Sequence, residues 1–158
     1  MKKNTKVNIY IPTYNSEQTI AACVKSLLNQ SYRNISITII NDCSTDNTLN
    51  VLKRFKDKRL KIFNKKNKVW GMDNLDFAFK KAKGDFAAVY HSNDIYHKDI
   101  IKNQLKVLQK NPDVKIVFTN AELFSGKKKF GKVFNDQIVN NKKYSYKEIL
   151  KLLIKNYN

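Results

Sequence analysis

Short apolar runs of strand length alternate with segments whose apolar residues recur at helical spacing, and this order predicts an α/β domain with a largely parallel central sheet. A chain of 158 residues with 42% apolar content can close one core without metals or disulfides. It shows no internal repeat and no linker long enough to divide it, so a single domain over residues 1–158 is expected.

Residues 7–11, V-N-I-Y-I, are the first strand. Asn15 or Ser16 is placed to cap a helix whose apolar face is Ile20, Cys23, Val24, Leu27 and Leu28. Residues 36–40 form the second strand, and an acidic loop leads into a helix through Leu49, Val51, Leu52 and Phe55. Residues 60–63 make a short third strand. The pattern over 74–83 predicts a helix with Leu75, Phe79 and Ala82 facing inward, ended by Gly84. Residues 86–90 are the fourth strand. A helix over 98–110 puts Ile101, Leu105 and Leu108 on one side and Lys98, Lys102, Lys106 and Lys110 in a second stripe, because steps of four drift by only about 40° each. Asn111-Pro112 stops that helix, and residues 115–119 are read as a fifth strand. Beyond Asn120 the character changes. Residues 126–131 form a Lys-rich turn, the tip of a hairpin or a mobile loop, and residues 145–155 regain a helical pattern through Tyr146, Ile149, Leu150, Leu153 and Ile154.

Composition narrows the function classes. The 31 basic residues against 13 acidic ones give a formal charge of +18, which would suggest nucleic acid or an anionic surface. Only Arg33, Arg54 and Arg59 are arginines, however, and specific phosphate recognition favours the planar guanidinium fork. A solvated Lys-rich surface or an anionic membrane face fits better. A nucleic-acid binder would need a reading motif or an aromatic platform, and neither is recognisable. Lys2 and Lys3 carry the charge of a secretory leader, but the apolar run at 7–11 is interrupted by Asn8 and closed by Pro12. No run approaches bilayer-spanning length. A cytoplasmic protein is expected: Cys23 and Cys43 have no paired spacing and suit a reducing compartment better than a disulfide framework. Neither is a candidate nucleophile. The four glycines, Gly71, Gly84, Gly126 and Gly131, all lie far from the end of strand one. This removes the dinucleotide fingerprint and the phosphate-cradling loop.

Polar clusters follow strands one, two and four: Pro12-Thr13-Tyr14-Asn15, residues 41–46, and residues 91–94. In a parallel sheet all three project from one edge, where ligands of open α/β sheets sit. The most informative segment is 37–48, which places Asp42, Ser44, Thr45 and Asp46 in one loop of a basic chain. Asp46 is either a helix cap or a site residue; Asp42 comes too early to cap. Its carboxylate is a fixed acceptor for a ring N–H, a bond that discriminates well because a buried acceptor left unpaired is costly. Tyr14 offers a flat face to a base or ribose, or simply walls the sheet end. His91, Asn93 and Asp94 supply an imidazole, an amide and a carboxylate within four residues, either a divalent-cation site or a solvated turn.

The run V-N-I-Y-I-P-T-Y-N-S-E-Q-T-I at 7–20, S-L-L-N-Q-S-Y at 26–32 and I-I-N-D-C-S-T-D-N-T at 39–48 together resemble the start of a family 2 glycosyltransferase of the GT-A fold. A-K-G-D-F at 82–86, with the strand leading into H-S-N-D-I-Y, is similar to that family's donor-site segment. The resemblance covers about residues 6–120 in order and spacing. It implies a Rossmann-like α/β/α sandwich that binds a nucleotide-sugar donor, a UDP-sugar, with Pro12, Thr13 and Tyr14 against the nucleotide and Asp42 accepting a hydrogen bond from the base. Asn74 and Ser92 fall in the same donor site. Asp73 stands where the family often has an arginine, so Lys65, Lys66 or Lys68 would supply the charge toward the donor phosphates.

The family's Asp-x-Asp metal motif aligns with His91, Ser92 and Asn93, with Asp94 next. The resemblance therefore implies Mg²⁺ or Mn²⁺ held by Asn93, Asp94 and His91, more weakly than by two aspartates because Asn93 offers only a neutral amide oxygen. The ion would neutralise the leaving nucleoside diphosphate, and a carboxylate base would deprotonate the acceptor hydroxyl for inversion. By the same resemblance that base lies in a segment after the matching region; no acidic motif beyond Glu122 looks suitable, with Asp136 read in a loop and Glu148 on a helix face. Residues 121–158 would then begin an acceptor-side region, leaving this chain the donor-binding half. The implied activity is sugar transfer to a saccharide or lipid-linked acceptor in the making of a surface polysaccharide or glycolipid. The lysine stripe at 98–110 is either a peripheral contact with the inner face of an anionic membrane near such an acceptor or a solvated helix face. The alternatives are a nucleotide-sugar-binding module with little or no turnover and, more remotely, a basic nucleic-acid-binding protein; no nucleic-acid partner is expected.

Overall fold

The computed structural model describes residues 5–66, 80, 85–126, 128–132 and 145. The chain divides into two compact units, Met1–Asn103 and Gln104–Asn158. The first is built on four parallel strands, β1 (Val7–Thr13), β2 (Ile35–Asn41), β3 (Leu60–Asn64) and β4 (Phe86–Val89), in the order β3-β2-β1-β4. β-Branched residues fill the two central strands. The register sets Ile9 beside Ile37 and Ile11 beside Ile39, and all four are fully buried. Burying each contributes roughly 1.5–3 kcal/mol.

Both central strands run further than the apolar pattern marks. β1 continues through Pro12 to Thr13, which pairs with Asn41 at the end of β2. β4 pairs with β1 only as far as Tyr10↔Val89. Pro12, with no N–H to donate, thus lies where β1 is paired on one side alone.

Helix α1 (Ile20–Leu28) buries Ile20, Cys23, Val24 and Leu27, as its period requires. Neither Asn15 nor Ser16 caps it. Thr19 holds the N-cap position without a side-chain bond, and the Ser16 carbonyl accepts from the Thr19 and Ile20 amides at 3.1 and 2.9 Å, forming a preceding turn. The Asn15 and Ser16 side chains reach other loops instead. Helix α2 (Thr48–Lys53) is shorter than its pattern and buries Thr48 and Leu52. Helix α3 (Ile100–Lys110) buries Ile101 and Leu105, while Lys102, Lys106 and Lys110, with Lys98 in the turn before it, are exposed.

In the second unit, β5 (Glu122–Ser125) and β6 (Lys128–Lys132) form an antiparallel hairpin. Gly126 takes a left-handed φ of 57° in its turn, and Gly131 a φ of 125° beside a register shift that leaves Phe130 bulged. The hairpin expected near 126–131 is therefore present. The fifth strand expected at 115–119 is not: residues 114–120 are in no ladder, and Ile116 is 79% exposed. Its β-branched and aromatic residues have the propensity, but a strand also needs a partner edge and a half-buried face. Of the helix expected at 74–83 only Lys80 is described, and the helix expected at 145–155 lies, apart from Ser145, outside the described residues. Among the described residues no helix is long and apolar enough to cross a membrane.

Candidate functional site at the carboxyl edge of the sheet

The strand order reverses at β1, with β2 and β3 on one side and β4 on the other. The crevice outside the carboxyl ends of strands at such a reversal is where open α/β sheets bind ligands. An open cleft of about 490 Å³ lies there, lined by Tyr14, Ser16 and Glu17 after β1, Asp46 after β2, and Ser92 and Asn93 after β4.

The three loops are tied to one another. The Asn15 amide donates to Ser44 Oγ at 3.0 Å, and the Thr45 amide to Asn15 Oδ1 at 2.8 Å. Asn15 holds a left-handed φ of 44° to make these bonds, a conformation asparagine tolerates. The Ser16 amide donates to Thr48 Oγ1 at 2.8 Å, and the Ser16 and Ser92 hydroxyls meet at 3.0 Å. Glu17 and Asp46 exchange bonds between loops: Asp46 Oδ2 accepts from the Glu17 amide at 3.0 Å, and Glu17 Oε2 from the Asn47 amide at 2.8 Å. Asp46 Oδ1 also accepts from the Thr48 amide at 3.0 Å. Asn47 holds the N-cap position of α2 without a side-chain bond, and Asp46 before it ties the first residue of α2 to the turn before α1. Desolvation works to raise the Asp46 carboxyl, but hydrogen bonds from Thr48 and Glu17 outweigh it and hold it below the usual carboxylate range.

Asp42, the residue after β2, is buried and is not among the residues that line the cleft. Its amide donates to the Thr13 carbonyl at 2.9 Å, which ties it to the Pro12-Thr13-Tyr14 segment. Its carboxylate is 3.7 Å from Lys65 Nζ, and both side chains are at least nine-tenths buried. Lys65 is one of the lysines put forward from sequence for the donor phosphates, and here its ammonium faces Asp42. Cys43, next to Asp42, has a φ of 57°, an uncommon conformation for a non-glycine residue that concentrates at functional sites.

The loop after β4 is organised by Tyr96. Its ring stacks on Tyr90 with centroids 4.3 Å apart. Its hydroxyl accepts from the His91 amide at 2.7 Å and faces two acceptors, the His91 carbonyl at 3.1 Å and Asp94 Oδ2 at 3.4 Å. The Tyr96 amide donates to Ser26 Oγ at 3.0 Å, and the Cys23 thiol to the His91 carbonyl at 3.4 Å. Burial, then the Asp94 charge, pushes the Cys23 thiol up to about 12 and raises the Tyr96 phenol above its ordinary value. Both stay protonated as donors, and Cys23 is no nucleophile.

Of the residues singled out from sequence, Tyr14, Ser92 and Asn93 line the cleft. Thr13, at the end of β1, and Asp42 are buried and Pro12 is half-buried, and none of the three lines the cleft. His91 and Asp94 are exposed on either side of Ser92-Asn93. Asn74 lies outside the described residues, as do Asp73 and Lys68. Among the described residues no three His, Cys, Asp or Glu side chains cluster as a complete metal site. Sequence reasoning missed Ser16, Glu17 and Tyr96. The signal for the first two was there, since the polar run N-S-E-Q after Tyr14 is longer than a cap needs.

A parallel sheet with a polar cleft at its order reversal is the architecture of nucleotide-binding α/β proteins. The family model described as Glycosyl transferase family 2 matches residues 8–156, and the chain belongs to that family. It is 30% identical over 145 residues to the Escherichia coli UDP-Glc:alpha-D-GlcNAc-diphosphoundecaprenol beta-1,3-glucosyltransferase WfgD, covering 92% of this chain and 55% of that protein. It is 38% identical over 104 residues to a second E. coli enzyme of the same description, WfaP, covering 65% of this chain and 41% of that one. S. aureus TarS, solved in complex with UDP-GlcNAc, superposes with a TM-score of 0.62 at 28% identity over 68% of this chain and 32% of TarS. The mannosyltransferase PcManGT from Pyrobaculum calidifontis, solved with GDP-Man and Mn²⁺, matches with a TM-score of 0.62 at 20% identity over 68% of this chain and 33% of that one, a likeness of fold alone. The chain thus spans about half of WfgD and less of the others. The α/β fold of the GT-A glycosyltransferases expected from sequence is the one observed.

Proposed function

We propose that this chain carries the donor-binding part of a glycosyltransferase that takes a sugar from a UDP-sugar and passes it, with inversion, to a saccharide or lipid-linked acceptor. The observation that carries the reading is the cleft at the sheet's order reversal, where the loops after β1, β2 and β4 meet in a chain of this family. A uridine donor and a lipid-linked acceptor are favoured by the names of WfgD and WfaP, and a uridine donor also by the UDP-GlcNAc bound to TarS.

In this reading Tyr14, 41% exposed at the cleft, lays its ring against the base or ribose. Pro12 and Thr13 set the strand end against the nucleotide, and Asp42 accepts the base N–H. Ser92 and Asn74 contribute further polar contacts to the donor. Asp94, His91 and the Asn93 amide oxygen offer one carboxylate, one imidazole and one neutral oxygen. That set suits Mg²⁺ or Mn²⁺ only when donor phosphates complete it, which is how Mg²⁺ commonly binds. Such an ion supplies charge neutralisation to the departing diphosphate. Tyr96 holds the loop on which these three residues stand. Exposed Lys98, Lys102, Lys106 and Lys110 favour a peripheral contact with an anionic membrane, at the cytoplasmic face, where a lipid-linked acceptor would lie.

Calorimetry tests the reading. UDP with Mn²⁺ should bind saturably and more tightly than CDP, GDP or an RNA oligonucleotide, and the absence of binding by any nucleoside diphosphate would sink the donor site. Asp42→Ala should lose the preference for UDP over CDP; a retained preference removes Asp42 from base recognition. The neutral Asn93 amide favours a second reading, a nucleotide-sugar-binding module with little turnover. Release of UDP from a UDP-sugar on adding acceptor separates the two.

A further inference from the structure

We infer that the β5–β6 hairpin is a membrane anchor, which sets Leu123 and Phe130 into the headgroup layer of an anionic bilayer while its lysines meet the lipid phosphates. It goes beyond the electrostatic contact proposed above for the lysines of 98–110, which involves other residues and no apolar group.

Every residue of β5 and β6 is exposed, and Leu123, Phe124 and Phe130 keep 50%, 52% and 60% of their surface in water. Two strands that bury nothing are marginal by themselves, and apolar groups exposed side by side mark an interaction surface. The register divides them between two faces. Phe124 stands opposite Lys129, and Lys129 Nζ is 2.8 Å from Glu122 Oε2, so that face carries a neutralised pair. Side chains alternate along a strand, which puts Leu123 and Lys128 on the other face, where Lys128 Nζ lies 5.3 Å from the centre of the Phe130 ring. Gly131 is the cross-strand partner of Leu123 and brings no side chain to cover it; the space where a Cβ would stand is open. The second face therefore presents two uncovered apolar groups beside an ammonium, with the hairpin's carboxylate on the opposite side.

The charge of the segment selects the occupant. Residues 122–132 hold Lys127, Lys128, Lys129 and Lys132 against Glu122 as the one acid, and Lys129 already engages that acid. An apolar protein surface laid on this face would strip water from unpaired ammonium groups, which is costly. An RNA strand or an acidic peptide would answer the lysines but leave Leu123 in water. A bilayer of anionic lipid answers both: ring and leucine enter the boundary between headgroups and acyl chains, while the lysine stems run along the apolar groups and carry their charges up to the phosphates. Two apolar side chains hold a protein weakly, so the anchor works together with the lysines, as paired weak signals do in membrane attachment.

The test is co-sedimentation of the whole chain at low salt with vesicles of phosphatidylglycerol and phosphatidylcholine in equal parts. Leu123→Ser with Phe130→Ser leaves the charge at +18 and should weaken binding by about tenfold, from the loss of two apolar groups. Ile95→Ser, at a side chain 56% exposed outside the hairpin, should leave binding unchanged. Phe130→Trp reads the depth directly: its fluorescence above that of the wild type should be quenched by lipids brominated in the acyl chains. Unchanged binding by the double serine variant overturns the inference, as does equal weakening by Ile95→Ser or an unquenched Phe130→Trp signal in vesicle-bound protein. Loss of RNA or polyglutamate binding by the same factor in the double variant would give the hairpin to a polyanion and overturn the lipid assignment. If the wild type binds no vesicles, the lysine contact proposed above fails as well. If it binds and only Lys102→Glu with Lys106→Glu weakens it, the hairpin anchor alone fails.

Discussion

Asn93 lines the cleft with an amide where the family resemblance puts a carboxylate, and this one atom type sets an expectation for metal dependence. Asn93→Asp adds an anionic ligand for a hard cation, so it should tighten donor binding in Mn²⁺ by about tenfold and leave metal-free binding unchanged or weaker. Unchanged affinity in Mn²⁺ would place Asn93 away from the ion. Asp57 shows how a short-range pair bears on stability instead. Arg59 donates to it from Nε at 3.1 Å and from an Nη at 2.9 Å, and also reaches the Leu28 carbonyl at 3.0 Å. These side-chain and backbone bonds from Arg59 lower the Asp57 carboxyl to about 2. A carboxyl depressed in the folded state stabilises fully above its unfolded value, about 3.9, and loses that contribution as pH falls through the folded value. Asp57→Asn should therefore cost about 1 kcal/mol at pH 7, with the gap to wild type closing between pH 4 and pH 2. Urea unfolding across that range measures it, and a pH-independent gap would count against the pair. At this scale the sequence made Asp42 legible, because its residue type stood out in a basic chain. The pairing of Lys65 with Asp42 was not, since the sequence named Lys65 only with Lys66 and Lys68 as a charge for the donor phosphates, and nothing local marks which lysine meets a buried carboxylate.

The strand ends and the loops between elements are where the site is assembled. β1, β2 and β4 were visible as apolar runs, and parallel pairing then fixed that their following loops share an edge. What the pattern could not show is that Asn15, Ser16 and Glu17 bond across to residues 44–48. Capping is a local rule, and it offered only Asn15 or Ser16, as a cap of α1. The reciprocal Glu17 and Asp46 bonds make a definite prediction. Asp46→Ala removes acceptors for two backbone amides at once, so it should cost about 2 kcal/mol, the upper end for a cap. Glu17→Ala should cost less, and the double variant should fall short of the sum, as for any coupled pair. Additive losses in denaturant unfolding would show that the two loops are independent. The segment at 115–119 failed in the opposite way. Its propensity is that of a strand, yet Ile116 stands in solvent, because pairing and burial rather than residue type make a strand.

For the whole molecule, a charge of +18 sets up a field that attracts anionic surfaces, at about 1 kcal/mol per lysine close to a membrane. The chain should bind vesicles containing phosphatidylglycerol at low salt and leave them as ionic strength rises and the Debye length shortens to about 8 Å near physiological salt. Lys102→Glu with Lys106→Glu should weaken that binding more than the same change at Lys25 and Lys53; equal effects would indicate net charge alone, and salt-insensitive binding would exclude the electrostatic contact. By itself the sequence determined the α/β class, the parallel order of strand and helix, and the three polar loops at one edge. Periodicity and the chemistry of Asp42, Tyr14 and the 91–94 segment are properties of residues near in the chain. Only the tertiary structure decided that the sheet reverses at β1, that Ser16 meets Ser92 across 76 residues, and that Lys65 turns to Asp42 rather than to solvent. Those outcomes depend on which distant groups burial forces together, and no local pattern encodes that choice.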